Sequence, residues 1–306
     1  MPTGCLLLVS LQVFEWQKVR SPCSNLRRCS GTDMDVLGYA GKRVVVSGCF
    51  SGMGNAVARM LIDLGAEVHG IDYRAVDLPL ASFNQVDLRD AEQIRAVAGS
   101  VGGSVDGLFN CAGLPQTAAP IDVMKVNYAG TRLLTEVIVP LMPEGSAIAS
   151  ISSNGGLGWS RRMPVLMELI AIADYDEQIA WIESHAEQVS EGYAFSKELI
   201  IAWTLLMSNQ LVDRKLRINC TMPGPTATPM MSHFVEASGQ QVIDAAMQPT
   251  NRHSTPEEQA GVMVFLNSDL ANFVSGVALP VDGGFMGGVA TGQVDLSVMM
   301  SNANKG

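Results

Sequence analysis

Seven residues, GCFSGMG at Gly48 to Gly54, constrain this chain more than any others. They join KRVVVSG (42–48), a short β-branched run, to NAVARMLIDLG (55–65), whose apolar residues recur at helical spacing until Gly65; AEVHGID (66–72) follows as the next strand. A hydrophobic period that changes from strand to helix and back predicts a βαβ unit, and a crossover of this kind builds a parallel sheet. Glycines at the first turn of such a unit let the backbone approach a pyrophosphate, while the helix start offers free N–H groups and a positive dipole end. The spacing here is Gly-x-x-x-Gly-x-Gly, so Gly48, Ser51, Gly52, Met53 and Gly54 are the candidate phosphate-binding residues.

Asp72 closes the second strand, 24 residues after Gly48. A carboxylate there accepts hydrogen bonds from ribose hydroxyls and repels a 2′-phosphate, which favours NAD over NADP. Arg74 pulls the other way, because a guanidinium can reach such a phosphate.

The alternation continues. SFNQVDL (82–88), VDGLFNCA (105–112), SAIASISS (146–153), LRINCTM (216–222) and GVALPVD (276–282) read as strands, with helical patterns around 90–99, 120–140, 193–210 and 256–267. Seven strands separated by helices predict an α/β protein: a single doubly wound domain with a seven-stranded parallel sheet and helices on both faces. One segment breaks the rhythm. Residues 157–191 contain two helix-like stretches, MPVLMELIAIAD and EQIAWIESHAEQV, with Leu166, Leu169, Ile170 and Ala173 on one face of the first and Ile179, Ile182, Ala186 and Val189 on one face of the second. They predict a two-helix insert.

The 306 residues are 47% hydrophobic, enough for one large core, and carry a formal net charge of -10. An acidic chain lacks the basic face that nucleic acid or an anionic membrane requires, which leaves a small molecule as the expected partner. No apolar run reaches the 18 or so residues needed to span a bilayer. CLLLVSLQVF (5–14) is interrupted by Ser and Gln and has no charged residue before it, so neither a membrane span nor a signal peptide is expected, and a cytoplasmic location is. Residues 1–33 hold Lys18, Arg20, Arg27 and Arg28 against Glu15 and Asp33, without periodicity. They read as a disordered extension before a domain that begins near Met34. The six cysteines form no CxxC pair and the four histidines are dispersed, so no metal site is expected.

YAFSK places Tyr193 and Lys197 four residues apart at the start of a helical pattern, on one helix face. Alone, that is an ordinary pair of side chains. In company it is more: GCFSGMG, Asp72, Asp87 in VDL, NCAG (110–113), Asn127 in VNYAG, ISSNGG (151–156), YAFSK, NCTMPGPTATPM (219–230) and VDGG (281–284) occur in one order. Over residues 38–288 the chain resembles the short-chain dehydrogenases/reductases, which have the Rossmann fold. The resemblance implies a catalytic set of Asn127, Ser153, Tyr193 and Lys197, with Ser153 chosen over its neighbour Ser152 by register with the family. Tyr193 would exchange the substrate proton as hydride moves to or from nicotinamide. Ser153 would hold the substrate oxygen, Lys197 would bind the nicotinamide ribose and lower the Tyr193 pKa, and Asn127 would position a relay water. The resemblance further places Asp87 and Leu88 near the adenine, lines the cofactor cleft with Asn110, Ala112 and Gly113, and sets Pro223, Gly224, Thr226 and Thr228 against the nicotinamide carboxamide or phosphates. It implies a homodimer or homotetramer.

Forty positions separate Ser153 from Tyr193, a spacing similar to that of the hydroxysteroid and aryl-alcohol dehydrogenase branches of the family. The segment after the sixth strand carries Met230, Met231, Phe234, Val235 and Met247, which suit a bulky apolar alcohol or ketone better than a sugar phosphate. The reading is an NAD-dependent dehydrogenase of a hydrophobic alcohol. The alternatives are a non-catalytic NAD-binding regulator and an epimerase or dehydratase on the same fold.

Overall fold

In the computed structural model, which describes residues 35–294, the β-branched runs form seven strands. They are β1 (Arg43–Ser47), β2 (Glu67–Asp72), β3 (Ser82–Gln85), β4 (Gly107–Asn110), β5 (Ala147–Ile151), β6 (Arg217–Pro223) and β7 (Ala278–Val281). Every pairing is parallel, in the order β3-β2-β1-β4-β5-β6-β7. The chain winds outward from β1 on one side and from β4 on the other, so a crevice opens where the carboxyl ends of these two strands diverge. Register aligns that edge. Ser47 stands opposite Ile71 and Asn110, Asn110 opposite Ser150, and Ser150 opposite Cys220. The loops that follow this row therefore share one end of the sheet. The N-terminal extension expected over 1–33 lies outside the described residues.

The central strands do not alternate because both faces are covered: β4 and β5 are buried throughout. On one face, α1 (Gly52–Asp63) packs against α11 (Pro256–Asn267) over Val44, Val46 and Phe109. A capping box between Thr255 and Glu258 starts α11. On the other face lie α2 (Ala91–Val101), α3 (Pro120–Met124), α4 (Thr131–Ile138) and α8 (Tyr193–Gln210), over Val45, Leu108, Ile148 and Ile218. Trp203 and Phe195 anchor α8 almost without exposure, and burial of each contributes roughly 1.5–3 kcal/mol.

The pattern over 120–140 predicts one helix, and the structure interrupts it. Between α3 and α4 runs a π-helical turn, Lys125–Gly130, which contains Asn127. Gly130 is required there, because a Cβ would fall 2.2 Å from the Leu88 carbonyl oxygen. The insert also differs from its expected form. It comprises α5 (Trp159–Ala171), α6 (Tyr175–Ser184) and α7 (Ala186–Val189). α5 begins four residues before the expected start and carries Pro164 inside it. The second stretch breaks at His185, whose φ of -117° and ψ of 38° are not helical, so Ala186 is exposed instead of sharing a face with Ile182. α5 lies along α8 and buries Leu166, Leu169 and Ile170. The remaining helices are α9 (Met231–Ser238), α10 (Gln240–Ala246) and α12 (Phe285–Ala290). No helix among the described residues is long and apolar enough to cross a membrane, and no cluster of metal-ligating side chains occurs among them.

Candidate active site

The glycine turn is built for close approach. Gly48 has φ of +73°, and a Cβ on it would lie 2.6 Å from both N and Cα of Ala112. The NCAG loop is pressed onto the turn from the other side, with Ser47 Oγ accepting hydrogen bonds from the backbone N–H groups of Cys111 (3.2 Å) and Ala112 (3.4 Å). A Cβ on Gly54 would meet the Gly48 carbonyl oxygen at 2.2 Å. Gly52, with φ of +57°, faces Thr228, whose methyl would sit 3.2 Å from a Cβ there. Ser51 is the N-cap of α1 and makes no side-chain cap bond, which leaves N–H groups at the helix start for a ligand; Met53 lines the neighbouring cavity. These contacts fit a dinucleotide at the crevice.

Asp72 is buried beside the turn, where Oδ2 accepts from Phe50 N and Oδ1 from Arg74 N, both at 3.0 Å. Each carboxylate oxygen has capacity for a further donor, as a ribose diol would supply. Arg74 does not pair with Asp72. Its guanidinium lies over the rings of Phe50 and Tyr73, 5.1 and 4.8 Å from their centroids. Asp87 is held by Arg89 at 2.6 Å, and that hydrogen bond keeps its carboxyl below the usual range. Leu88 is buried.

Three expected site residues, two cofactor contacts and one catalytic residue, make side-chain hydrogen bonds within the scaffold. Asn110, expected to line the cleft, is buried and donates to Thr135 Oγ1 (2.9 Å) and Ser150 Oγ (3.1 Å), tying β4 to β5 and α4. Thr226 donates to Gly224 O and bonds Ser254 Oγ, both at 2.9 Å, which fixes the loop after β6. Asn127, expected to position a water, accepts from Leu114 N at 2.7 Å and donates to Leu114 O at 3.1 Å. Its amide clamps the loop after β4 to the π-helical turn. Gly113 sits within that clamp, where a Cβ would be 3.3 Å from Asn127 Oδ1 and 3.8 Å from Lys197 Nζ.

The adjacent serines both follow the end of β5 but have different partners. Ser152 is buried and donates to the Lys197 carbonyl at 2.8 Å, whereas Ser153 turns to the cavity and N-caps the turn Asn154–Gly156, accepting from Gly155 N at 3.0 Å. Tyr193 and Lys197 come from the first turn of α8, with Nζ 5.6 Å from the phenol ring centroid. Burial pushes the Tyr193 phenol up to about 12, opposed by a hydrogen bond from Ser153. Burial also pulls the Lys197 ammonium down to about 8. In the protein alone desolvation outweighs the Ser153 hydrogen bond, so Tyr193 stays protonated near neutrality.

Ser153 and Tyr193 border a cavity of about 490 Å³ reached also by Pro223, Gly224 and Thr228. Its walls are mostly apolar, with Met230, Met231, Phe234, Ile243 and Phe285. Phe234 meets the Tyr193 ring edge-on at 5.0 Å between centroids. α9 is tied across the cavity by Gln116 to Ser238 (2.8 Å) and Thr117 to His233 (2.9 Å). Sequence reasoning did not single out Asn154, which also lines this cavity; its position directly after Ser153 was the available signal.

Comparison with known proteins agrees with this geometry. The short chain dehydrogenase family model matches residues 42–165, and a second, described as enoyl-(acyl carrier protein) reductase, matches 178–286. The coniferyl-alcohol dehydrogenase of Pseudomonas sp. (strain HR199) is 34% identical over 244 residues, covering 79% of this chain and 96% of that protein. The 3-alpha-hydroxysteroid dehydrogenase/carbonyl reductase of Comamonas testosteroni is 29% identical over 248 residues, covering 79% and 95%. Among solved structures, the 3-alpha-hydroxysteroid dehydrogenase from Pseudomonas sp. B-0831 complexed with NADH superposes with a TM-score of 0.68 at 27% identity, covering 83% of this chain and 100% of that one.

Proposed function

The chain belongs to the short-chain dehydrogenase family, a family of oxidoreductases, and we propose that it interconverts a hydrophobic secondary or aromatic alcohol and its carbonyl compound with NAD. The observation that carries this reading is the meeting of Ser153 and Tyr193 at the wall of an apolar cavity, with Lys197 behind them and a glycine turn alongside. Bound nicotinamide supplies the hydride acceptor in one direction and the donor in the other. Ser153 holds the substrate oxygen through its hydroxyl. Tyr193 removes the hydroxyl proton during oxidation and returns it during reduction. Lys197, with N–H groups to spare, holds the cofactor ribose and as a cation favours the phenolate.

The buried Asp72 carboxylate supports NAD over NADP, since a 2′-phosphate brought against it would meet like charge. The names of the two relatives, an aromatic-alcohol and a hydroxysteroid enzyme, support a bulky apolar substrate, as do the methionine and phenylalanine walls. The protein acts as a homodimer or homotetramer, which light scattering at working concentration tests.

The functional reading is tested by following NADH absorbance with a panel of hydroxysteroids, aromatic alcohols and their ketones, with NADP run in parallel. Turnover of at least one substrate with NAD is expected. No absorbance change in either direction with either cofactor would sink the reading, whereas a clear NADP preference would overturn the cofactor assignment alone.

A further inference from the structure

Glu191 is the one carboxylate among the described residues that line the cavity, and no lysine, arginine or histidine stands among them. Tyr193, neutral near pH 7 in the protein alone, is the only other ionisable side chain of that wall. Glu191 lies in the turn just before α8, two residues from Tyr193, and is half-buried. Its Oε1 accepts from Ala194 N at 3.0 Å, and Ala194 lines the same cavity. The turn is packed against the start of α3: Gly192 has φ of +80°, and a Cβ on it would meet the Pro120 carbonyl oxygen at 2.8 Å. The charge is therefore held beside the cavity by its own helix and by the turn that carries it.

Among the described residues Glu191 enters no ion pair. Arg162 of the insert is paired with Glu198, further along α8. Lys197 is buried outside the wall, with its ammonium on the Ile151 carbonyl. Beyond Gly224 stands a second carboxylate, Asp282, which accepts from Gly284 N and Met286 N and adds charge of the same sign. Capping the first turn of α8 accounts for Oε1 of Glu191. It does not account for the charge, because a glutamine oxygen would accept from Ala194 N as well.

We infer that Glu191 is a specificity-determining residue that sorts substrates by charge, admitting neutral and cationic alcohols or ketones and turning away those that carry a carboxylate, phosphate or sulfate. Resting on the dehydrogenase reading above, this narrows the substrate class by the sign of any group remote from the reacting carbon. Such selection needs no contact. At an effective dielectric of about 20, a unit charge roughly 10 Å away shifts an affinity by about tenfold. Apolar walls focus the field of a single uncompensated charge, and the methionine and phenylalanine lining supplies them.

The test uses the full chain and three alcohols of one shape: the ammonium 1-[4-(aminomethyl)phenyl]ethanol, the neutral methyl 4-(1-hydroxyethyl)benzoate and the anion 4-(1-hydroxyethyl)benzoate. Both ions lose hydration in an apolar cavity, so the ratio between them isolates the sign of the field. In the wild type the ammonium is expected to exceed the carboxylate by at least about 10-fold in kcat/KM, mostly through KM. That ratio should shrink as salt is raised and fall to within a few fold in Glu191→Gln, which keeps the bond to Ala194 N. Equal handling of the two ions by the wild type, or a ratio that survives Glu191→Gln, overturns the assignment. Dissociation constants from calorimetry on the wild type require neither turnover nor a folded variant, and equal affinity for the two ions is likewise contrary to it. Turnover of all three alcohols without discrimination sinks only the role of Glu191; binding sorted by charge without turnover of any alcohol sinks the dehydrogenase reading and leaves the charge selection standing.

Discussion

The Lys197 ammonium donates a hydrogen bond to the carbonyl oxygen of Ile151 at 3.0 Å. Ile151 is the last residue of β5, so the first turn of α8 is fastened to the strand that presents Ser153. One of three N–H groups is used, and the amine stands beside Gly113 in the crevice.

That buried amine has a stability signature. Its pKa is 10.5 in an unfolded chain and about 8 when folded, so between those values the unfolded state binds more protons and stability rises with pH. Below about 8 the full cost of burying the charge is present. Lys197→Met removes this cost, at most about 3.5 kcal/mol at roughly 1.4 kcal/mol per pKa unit, less the loss of the Ile151 bond. The variant is expected to melt above the wild type at pH 7, by a margin that shrinks toward pH 10, while losing turnover. Melting curves across that range check it, and a margin independent of pH would contradict the burial argument.

Tyr193 behaves with the opposite sign. Burial raises its phenol from 10.0 to about 12, so the folded chain retains that proton through the range where a free tyrosine loses it. Its stabilising effect is complete below pH 10 and is lost as pH rises toward 12. The difference in tyrosinate absorbance between wild type and Tyr193→Phe without cofactor should titrate near 12; a midpoint near 10 would show an unburied phenol. Tyr193→Phe should also lower kcat by about 100- to 10,000-fold, with the NADH dissociation constant nearly unchanged.

What the sequence made legible follows from how each feature is encoded. Parallel strands buried on both faces read as continuous apolar runs, so seven strands and their direction were visible, and the glycine turn was visible because positive φ and backbone contact exclude other residues. Side-chain commitments were not. Asn110, Asn127 and Thr226 could equally face a ligand or water or bond their own scaffold, and the scaffold bonds to Ser150, Leu114 and Ser254 appear only once the fold brings those neighbours in. The π-helical turn at Asn127 left no mark on an apolar helical pattern, and the break at His185 was hidden because its flanks are both good helix formers. The desolvation of Tyr193 was equally invisible, because it is a property of the packed site.

Gly48 offers a test of the turn with an internal control. Gly48→Ala must place a side chain at φ of +73° and 2.6 Å from the Ala112 backbone, so it combines backbone strain with a clash that neither loop can relieve. Gly41 has φ of +75° and nothing within 4 Å of a Cβ, so Gly41→Ala carries the conformational cost alone, about 1 kcal/mol. Denaturant unfolding should show Gly48→Ala the less stable of the two by at least about 1–2 kcal/mol, with cofactor binding weakened in that variant only. Equal losses in both would mean that the Gly48–Ala112 approach carries no cost.

The insert is joined to the active-site helix through Arg162. Its guanidinium lies 3.1 Å from Glu198 Oε2, bonds the Gln188 carbonyl and sits 4.5 Å over the Phe195 ring, so α5, α7 and α8 meet on one side chain. Glu198 is buried, and desolvation raises its carboxyl pKa while Arg162 opposes the rise. Removing Arg162 alone leaves that carboxylate buried without its counter-charge, whereas removing both charges leaves none. Arg162→Met is therefore expected to destabilise by about 2–3 kcal/mol, below the usual range for a fully buried pair because the Arg162 side chain is 34% exposed. Arg162→Met with Glu198→Gln should recover most of that loss. The single variant should regain stability as the pH falls, because a carboxyl with a raised folded pKa takes up its proton more readily folded than unfolded. A double-mutant cycle at pH 7 and pH 5 measures both effects, and additive losses with no pH dependence would show that the latch works through packing on Phe195 instead of charge.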